Sequence, residues 1–527
     1  MTESSESKES RKHVRGSSLL LAGRMISVLI NFFVQVLIVR YLSKEGYGAF
    51  AYGYSIATLA ARVTPLGTDK AISRFIPIYH EEKKVDQVKG ALLVAITTTV
   101  VMGVLLVGLA VSTRNVLAET VVQDPLALSV LLMIIALAPL IAMENILEKL
   151  LAVFGRVKSL FIRRYVLTPL LRLSAVCGLM ATGGDAVYLA GAYVVATVIG
   201  VFISAQILWR ILRDDPLLAE IAKIKADLPT RRLFRFGVPL LSTDVVYGLR
   251  TSLVVVLLEF FHGTTGVAAF RAILPVARLN QIVFDSFKLL YVPTASRMFA
   301  RGDTEDISQL YWRSSAWIAL LTLPVLLISF SLATPVAVLL FGETYASSGP
   351  ILAAVSMGLY LNAAFGFNAL TLRVFKSVRT IMKIDLGAGL LALILNVIVV
   401  PIYGPLGGAI VSSFVMIVQN VAYQVVVMKA GQLKGIPAEI ARIHAAIIVI
   451  AVALLLVQTM LVLPVAVGLA VAVVLTLIVW ATFLKTLQIR ELFPEIDRFL
   501  PRRFAVGEPL ISDAHASPPV RAKQGQS

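Results

Sequence analysis

Cysteine is scarce in this sequence, as are motifs that bind metals or nucleotides, and these absences exclude or disfavour several kinds of site. Cys177 is the only cysteine among 527 residues, so an intrachain disulfide and a thiolate metal cluster are excluded. The five histidines are scattered without the spacing of metal ligands, and we expect no metal site and no cofactor. The sequence also has no glycine-rich phosphate loop, which argues against a built-in ATPase.

Hydrophobic residues, in contrast, are abundant. They make up 58% of the chain against 15% charged residues, and the mean hydropathy is +0.85. A soluble protein of this length could not hide so much apolar surface, because roughly half of a folded protein's surface stays exposed to water. Apolar runs of about 20 residues recur along the chain, and each would span a hydrocarbon core of about 30 Å. The sequence therefore predicts an all-α polytopic membrane protein.

The loops between the predicted spans differ in charge. We place about fourteen spans, near residues 17–42, 46–67, 88–112, 125–153, 159–181, 185–210, 234–261, 264–290, 313–341, 348–374, 379–401, 405–429, 440–462 and 464–486. Loops after even-numbered spans are rich in lysine and arginine, whereas loops after odd-numbered spans are short and poor in both. The positive-inside rule predicts a multi-pass protein of the cytoplasmic (plasma) membrane with both termini in the cytoplasm. These loops account for the net charge of +17, so we expect no nucleic-acid partner.

The sequence contains a weak internal repeat. Residues 24–50 match residues 244–270 at a shift of 220, and FGRVKSL from Phe154 matches FKSVRTI from Phe375 at a shift of 221. Since this shift corresponds to six spans, the repeat predicts two six-helix bundles in the same orientation with a cleft between them. The predicted organisation is a cytoplasmic tail 1–16, a first bundle 17–212, a cytoplasmic amphipathic linker 213–232, a second bundle 233–430, two additional helices 438–488 and a cytoplasmic tail 489–527, disordered from about residue 501.

Several predicted spans carry charged residues, although a charge inside a bilayer is costly. In the eighth span Arg271, Arg278 and Asp285 are seven residues apart and therefore share one helix face. Intramembrane charges normally face a water-filled cavity or pair with one another. We predict a cationic lumen between the bundles that binds substrate through Arg24, Asn31, Gln35, Arg62, Arg172, Arg250, Arg271 and Arg278.

The acidic residues within the spans allow two interpretations. The candidate sites for a coupling proton or sodium ion are Glu144, Glu148, Asp244 and Asp285. The first two acids could instead pair with Arg163 or Arg164 on the following span. The planar guanidinium group of arginine binds phosphate oxygens through two parallel hydrogen bonds. A cationic lumen therefore suits a cargo that carries a phosphate or pyrophosphate.

The segment after the first span resembles a known family. Its motif consists of Gly46-Tyr47-Gly48 with Phe50 at the start of the second span, then Leu66-Gly67 before a short segment with Ile72, Arg74 and Pro77. This motif, with two six-helix halves and two further helices, resembles the polysaccharide-repeat flippases of the multidrug/oligosaccharidyl-lipid/polysaccharide exporter superfamily. The resemblance covers about residues 15–490.

The resemblance implies a transporter and not an enzyme. Such a protein would move a polyprenyl-(pyro)phosphate-linked oligosaccharide from the cytoplasmic to the outer leaflet by alternating access, driven by a proton or sodium gradient. Its partners would be the polyprenyl-linked glycan, the lipid bilayer and glycan polymerase or transferase machinery.

Two other functions stay open at this point. A multidrug or small-solute exporter of the same fold would carry cationic, lipophilic cargo and favour an acidic lumen, against which Arg271 and Arg278 argue. A membrane-embedded glycosyltransferase or ligase would need a sizeable active site outside the cytoplasm, whereas the outward loops have only about a dozen residues or fewer.

Overall fold

The structure, a computed structural model, describes Gly23 and residues 26–483 except positions 121, 123, 155–158, 160, 219, 220, 222, 366, 376 and 430–432. The described residues are helical with connecting turns and contain no strand, which confirms the predicted all-α fold class. The predicted tails, 1–16 and 489–527, lie outside the described residues.

Eighteen α-helices are found in the described part of the chain. They are α1 Ile26–Tyr41, α2 Lys44–Val63, α3 Thr68–Glu81, α4 Val85–Ser112, α5 Arg114–Thr120, α6 Pro125–Ile134, α7 Leu137–Val153, α8 Thr168–Thr182, α9 Ala186–Asp214, α10 Thr230–Arg278, α11 Ile282–Arg301, α12 Thr304–Leu326, α13 Ala333–Phe341, α14 Gly349–Phe365, α15 Phe367–Val374, α16 Val378–Lys429, α17 Ala438–Leu461 and α18 Val465–Phe483. Two π-helical turns, Ile162–Leu167 and Leu327–Ser331, precede α8 and follow α12.

The described helices are consistent with the predicted number of about fourteen membrane spans. Ten helical segments of the described chain are long and apolar enough to cross a bilayer. One such segment, Ser252–Arg301, runs from α10 through α11, and another, Arg379–Lys429, lies in α16; the chain reverses direction within each, at Gly263 and Gly404 (φ +65° and +56°). Glycine reaches this left-handed region without steric cost, so both helices turn back without a loop. If the shorter helices α1 and α2 are counted as spans, the total agrees with the predicted number of about fourteen.

The positions of equivalent turns follow the predicted repeat. Ser43 caps the start of α2 and accepts a hydrogen bond from the backbone N–H of Gly46. The reversal at Gly263 lies 220 residues later in the chain. Likewise, α7 ends at Val153 and α15 ends at Val374, which is 221 residues later. Both offsets equal the two shifts found in the sequence, so the turns occupy equivalent places in the two halves.

The predicted eighth span is not a single straight helix. A 3-10 turn, Leu279–Gln281, separates α10 from α11. Pro275 lacks a backbone N–H and weakens the last turn of α10. The buried Asn280 side chain then donates to the carbonyl of Ala277 and to Ser329 Oγ, at 3.0 and 2.8 Å. The assumption that one helix face continues to residue 285 therefore fails at this turn.

Where the structure describes it, the middle of the linker between the halves does not form the predicted amphipathic helix. Its described residues between positions 215 and 229 form turns and irregular chain. Asp215 ends α9, and its carboxylate accepts hydrogen bonds from the N–H groups of Leu217 and Leu218. Leu218 is fully buried against the first half, and Lys89 Nζ donates to the carbonyl of Ile224 at 2.7 Å. Tertiary contacts with α3 and α4 thus replace the expected position on the lipid surface.

The two halves touch at both ends of the molecule. We call the end with α3 and the linker the basic end, and the end with Ser43, Gly263 and Gly404 the short-loop end. At the short-loop end, Arg40 of α1 donates to the carbonyls of Leu339 and Leu340 in α13, at 2.5 and 2.8 Å. A Cβ atom added at Gly48 of α2 would collide with the backbone of Thr264 in α10. The first half is therefore in close contact with the second half here.

At the basic end, the contact between the halves is polar. Lys70 of α3 forms an ion pair with Asp244 of α10 at 2.6 Å and donates to the carbonyl of Leu240 at 2.9 Å. The backbones of Gly67 and Gly237 approach so closely that a Cβ atom at either glycine would collide with the other. The structure is therefore closed at this point as well.

Candidate functional site

A cavity of about 700 Å³ lies between the two halves. Residues of α1, α2, α7, α8, α9 and the first π-helical turn line it from the first half. The second half contributes the last turn of α10, the 3-10 turn and the start of α11. The volume lies within the range of about 300–1,000 Å³ that is usual for ligand sites.

Many of the predicted site residues do meet in this cavity. Those that line it are Asn31, Gln35, Glu144, Glu148, Arg172, Arg278 and Asp285. Three predicted residues are absent from the described lining, namely Arg62, Asp244 and Arg271. Arg24 lies outside the described residues, as does the side chain of Arg250.

Two arginines face the cavity without an acidic partner. Arg172 reaches Asn31 Oδ1 and the hydroxyl of Tyr54 through long hydrogen bonds of 3.5 and 3.3 Å. Arg278 enters the cavity from the opposite half, at the end of α10. Among the described residues, no carboxylate oxygen lies within 4.0 Å of either guanidinium group. Both groups are therefore able to bind an anion in the cavity.

The glutamates of α7 are engaged by neighbouring arginines. Arg163, only 3% exposed, binds Glu144 Oε1 at 2.9 Å and Glu148 Oε2 at 3.5 Å. Arg163 Nε also donates to Ser204 Oγ at 2.6 Å, and Arg164 Nη1 donates to Glu148 Oε1 at 2.6 Å. Of the two interpretations left open by the sequence, the structure shows the ion pairs.

The π-helical turn places both arginines beside α7. It spans Ile162–Leu167 and is followed by Thr168 and Pro169. Because Pro169 cannot donate a backbone hydrogen bond, the regular helical ladder is interrupted here. A π-helical turn widens the helix locally and often occurs at functional sites. The adjacent Arg163 and Arg164 can thus reach acids one helical turn apart.

The remaining predicted residues form contacts between the halves. Arg271 donates a hydrogen bond to Ser55 Oγ of α2. The side chain of Arg62 packs against Gly248 of α10, where a Cβ atom would lie 3.2 Å from Arg62 Cδ. The ion pair of Asp244 has been described above. These residues lie between the halves rather than on the cavity surface.

The cavity surface is cationic by a small margin. Among its described lining residues, four arginines face three acids, so the sum is one positive charge. Since Arg163 and Arg164 are paired with glutamates, the unpaired positive charge is carried by Arg172 and Arg278. No group of three or more histidine, cysteine, aspartate or glutamate side chains suited to a metal was found in the described chain.

An aromatic group in the cavity wall was missed by the sequence analysis. Phe50 and Tyr54 of α2 are stacked with ring centroids 6.0 Å apart, and Tyr193 of α9 meets Phe50 edge-on at 5.1 Å. All three residues line the cavity. The four-residue spacing of Phe50 and Tyr54 predicts a shared helix face. Nothing in the sequence indicates that Tyr193, about 140 residues further on, joins them.

The fold of this chain, two helical halves with a polar cavity between them, is similar to that of solved transporters. Lipid II flippase MurJ in an inward closed conformation matches with a TM-score of 0.68 and 15% identity, over 91% of this chain and 100% of that one. An inward-facing multidrug resistance MATE family transporter of the MOP superfamily matches with a TM-score of 0.62 and 16% identity, over 77% and 94%. These neighbours are transporters rather than enzymes.

The family is identified by residues 13–299, which match the model of the polysaccharide biosynthesis protein family. The chain belongs to this family, and the resemblance to polysaccharide-repeat flippases is confirmed. Stage V sporulation protein B of Bacillus subtilis is 27% identical over 135 residues, which are 26% of each protein. An uncharacterized membrane protein of Methanocaldococcus jannaschii is 22% identical over 423 residues, 76% of this chain and 81% of that protein.

Proposed function

We propose that this protein is a flippase that moves polyprenyl-(pyro)phosphate-linked oligosaccharides from the cytoplasmic to the outer leaflet of the plasma membrane. The observation that carries the proposal is the pair of arginines, Arg172 and Arg278, which face one cavity from opposite halves and have no carboxylate partner among the described residues. In this proposal the basic end faces the cytoplasm, in accordance with the positive-inside rule.

A pyrophosphate is the anion that best matches this pair of arginines. The guanidinium group binds two phosphate oxygens at once, and charge-assisted hydrogen bonds are roughly twice as strong as neutral ones. Since the two arginines belong to different halves, a bound pyrophosphate would connect the halves. Substrate binding would thereby favour one arrangement of the halves over another, as alternating access requires.

The contacts between the halves supply the two gates of this mechanism. Opening toward the cytoplasm would separate Lys70 from Asp244, and opening toward the outside would separate Arg40 from the α13 carbonyls.

We further propose coupling to a proton or sodium gradient. Of the candidate acids, Asp285 and the two glutamates line the cavity, whereas Asp244 belongs to the basic-end gate.

The rival transport function is less compatible with the cavity. A drug exporter for cationic cargo would need acids free to bind a cation, but Glu144 and Glu148 are held by Arg163 and Arg164. A glycosyltransferase or ligase would need a catalytic base or metal site outside the cytoplasm. The cavity instead presents, within the membrane region, two arginines without a carboxylate partner among the described residues, Arg172 and Arg278.

The sidedness of the lipid-linked oligosaccharide tests the proposal. In spheroplasts that lack the protein, we expect the labelled oligosaccharide to be protected from an impermeant sugar-oxidising reagent, and we expect exposure to return with the wild type. Arg172→Gln and Arg278→Gln should leave the oligosaccharide protected. Arg297→Gln is the matched control, because Arg297 is exposed on α11 outside the cavity lining. An identical distribution with and without the protein would exclude flipping.

A further inference from the structure

Phe50 and Tyr193 lie deeper in the cavity than Arg172, measured from the basic end, whereas Tyr54 lies at about the depth of Arg172. Phe50 is six residues from the start of α2 and Tyr193 is seven residues from the start of α9, both at the short-loop end. At 1.5 Å per residue, both rings lie about 10 Å from that end. Arg172 is ten residues before the end of α8, which corresponds to about 15 Å on the same scale.

The aromatic group is in direct contact with Arg172. Arg172 Nη2 donates to the Tyr54 hydroxyl at 3.3 Å, so the first ring adjoins the guanidinium group. On the same scale, Phe50 and Tyr193 lie about 5 Å further from the basic end than Arg172. Gln35 and Asn31 also line this part of the cavity and provide hydrogen-bonding amides beside the rings.

From this arrangement we propose that Phe50, Tyr54 and Tyr193 form the subsite for the pyranose ring adjacent to the pyrophosphate. This inference rests on the proposed function and assigns the substrate an orientation, with its sugar toward the short-loop end. One face of a pyranose presents C–H groups that pack on aromatic rings, while its hydroxyl groups at the rim need polar partners. Aromatic rings bordered by Gln35, Asn31 and Arg172 provide both.

A prenyl chain fits this place less well than a sugar. The chain would cover the amides and the guanidinium group without offering them hydrogen bonds, and burying polar groups without partners is costly. A hydrocarbon chain also has no need of a closed cavity, because the surrounding lipid solvates it. The prenyl tail is therefore placed outside the aromatic subsite.

Binding of two probes to the purified protein tests the subsite. Farnesyl pyrophosphate carries no sugar, whereas farnesyl-pyrophosphoryl-N-acetylglucosamine carries one pyranose. We expect the wild type to bind the glycosylated probe more tightly. Tyr193→Leu should weaken that probe about tenfold and change farnesyl pyrophosphate less than twofold, whereas Tyr193→Phe, which keeps the ring, should bind both probes like the wild type. Arg172→Gln should weaken both probes.

The binding results distinguish an error in the sugar subsite from an error in the proposed function. If Tyr193→Leu weakens both probes equally, or if the wild type binds them equally, the aromatic group has no role in sugar binding and the inference is overturned. If the wild type binds neither probe, the proposed function itself fails. Should Tyr193→Leu not fold, Phe50→Leu with Phe50→Tyr as its control makes the same comparison on α2.

Discussion

Replacing Arg163 or Arg278 by glutamine removes one positive charge from the same cavity, yet we expect the two variants to fail in different ways. Arg163 is 3% exposed and binds both glutamates of α7 and Ser204 Oγ. Arg278 has no carboxylate within 4.0 Å among the described residues and faces the cavity. We therefore expect Arg163 to stabilise the fold and Arg278 to bind the substrate.

The magnitudes follow from what each substitution leaves behind. Arg163→Gln leaves Glu144 as a charge without its main partner in a buried place, and breaking a buried pair in this way costs about 3–5 kcal/mol. Arg278→Gln leaves no buried charge unpaired but removes hydrogen bonds to a phosphate, each worth about 1.5–3 kcal/mol. Since 1.4 kcal/mol is a factor of ten, substrate affinity should fall roughly ten- to a hundredfold.

Thermal unfolding of the purified variants separates the two roles. We expect Arg163→Gln to unfold several degrees below the wild type and Arg278→Gln to unfold at the wild-type temperature. The double variant Arg163→Gln/Glu144→Gln should recover much of the loss, because replacing both members of a buried pair is often nearly neutral. Wild-type stability of Arg163→Gln, or a double variant no more stable than the single one, would refute this account of the ion pairs.

Two further predictions concern the gates. Lys70→Ala removes the ion pair with Asp244 at the basic end. In a cysteine-free background, a cysteine that replaces Ser286 in the cavity lining should then react severalfold faster with a maleimide. An unchanged rate would show that this ion pair does not close the cavity. Gly48→Ala places a methyl group against the Thr264 backbone and should block closure at the short-loop end and abolish export. Gly108→Ala, whose Cβ atom meets nothing within 4 Å, is the control and should export normally; equal export by both variants would contradict close packing at Gly48.

The positions of the membrane spans could be predicted well, because hydrophobic length is a local property of the chain. The fourth predicted span, 125–153, coincides with the observed segment Pro125–Val153, and the thirteenth ends within one residue of Leu461. The interruption after Arg278 could not be predicted in this way. It depends on the hydrogen bond between Asn280 and Ser329, which are 49 residues apart in the sequence.

The sequence predicted which arginines of the candidate site lie inside membrane spans, but it did not predict the residues that each arginine contacts. The sequence places Arg172, Arg271 and Arg278 inside spans, and all three lie within helices of the structure. Only the packing shows that Arg271 turns to Ser55 while the other two face the cavity. The amphipathic pattern of the linker was misleading, since an apolar face can bury against protein as well as against lipid.

By itself, the sequence determined that the chain is a helical membrane protein with about fourteen spans and with arginines inside them. The physical reason is that span length and residue depth follow from hydrophobic runs and a rise of about 1.5 Å per residue. Only the tertiary structure decided which arginines are neutralised by Glu144 and Glu148, and that Tyr193 joins Phe50 beside Arg172. The contact partner of each side chain depends on how helices that are distant in sequence rotate and pack against one another. No local sequence pattern specifies this packing.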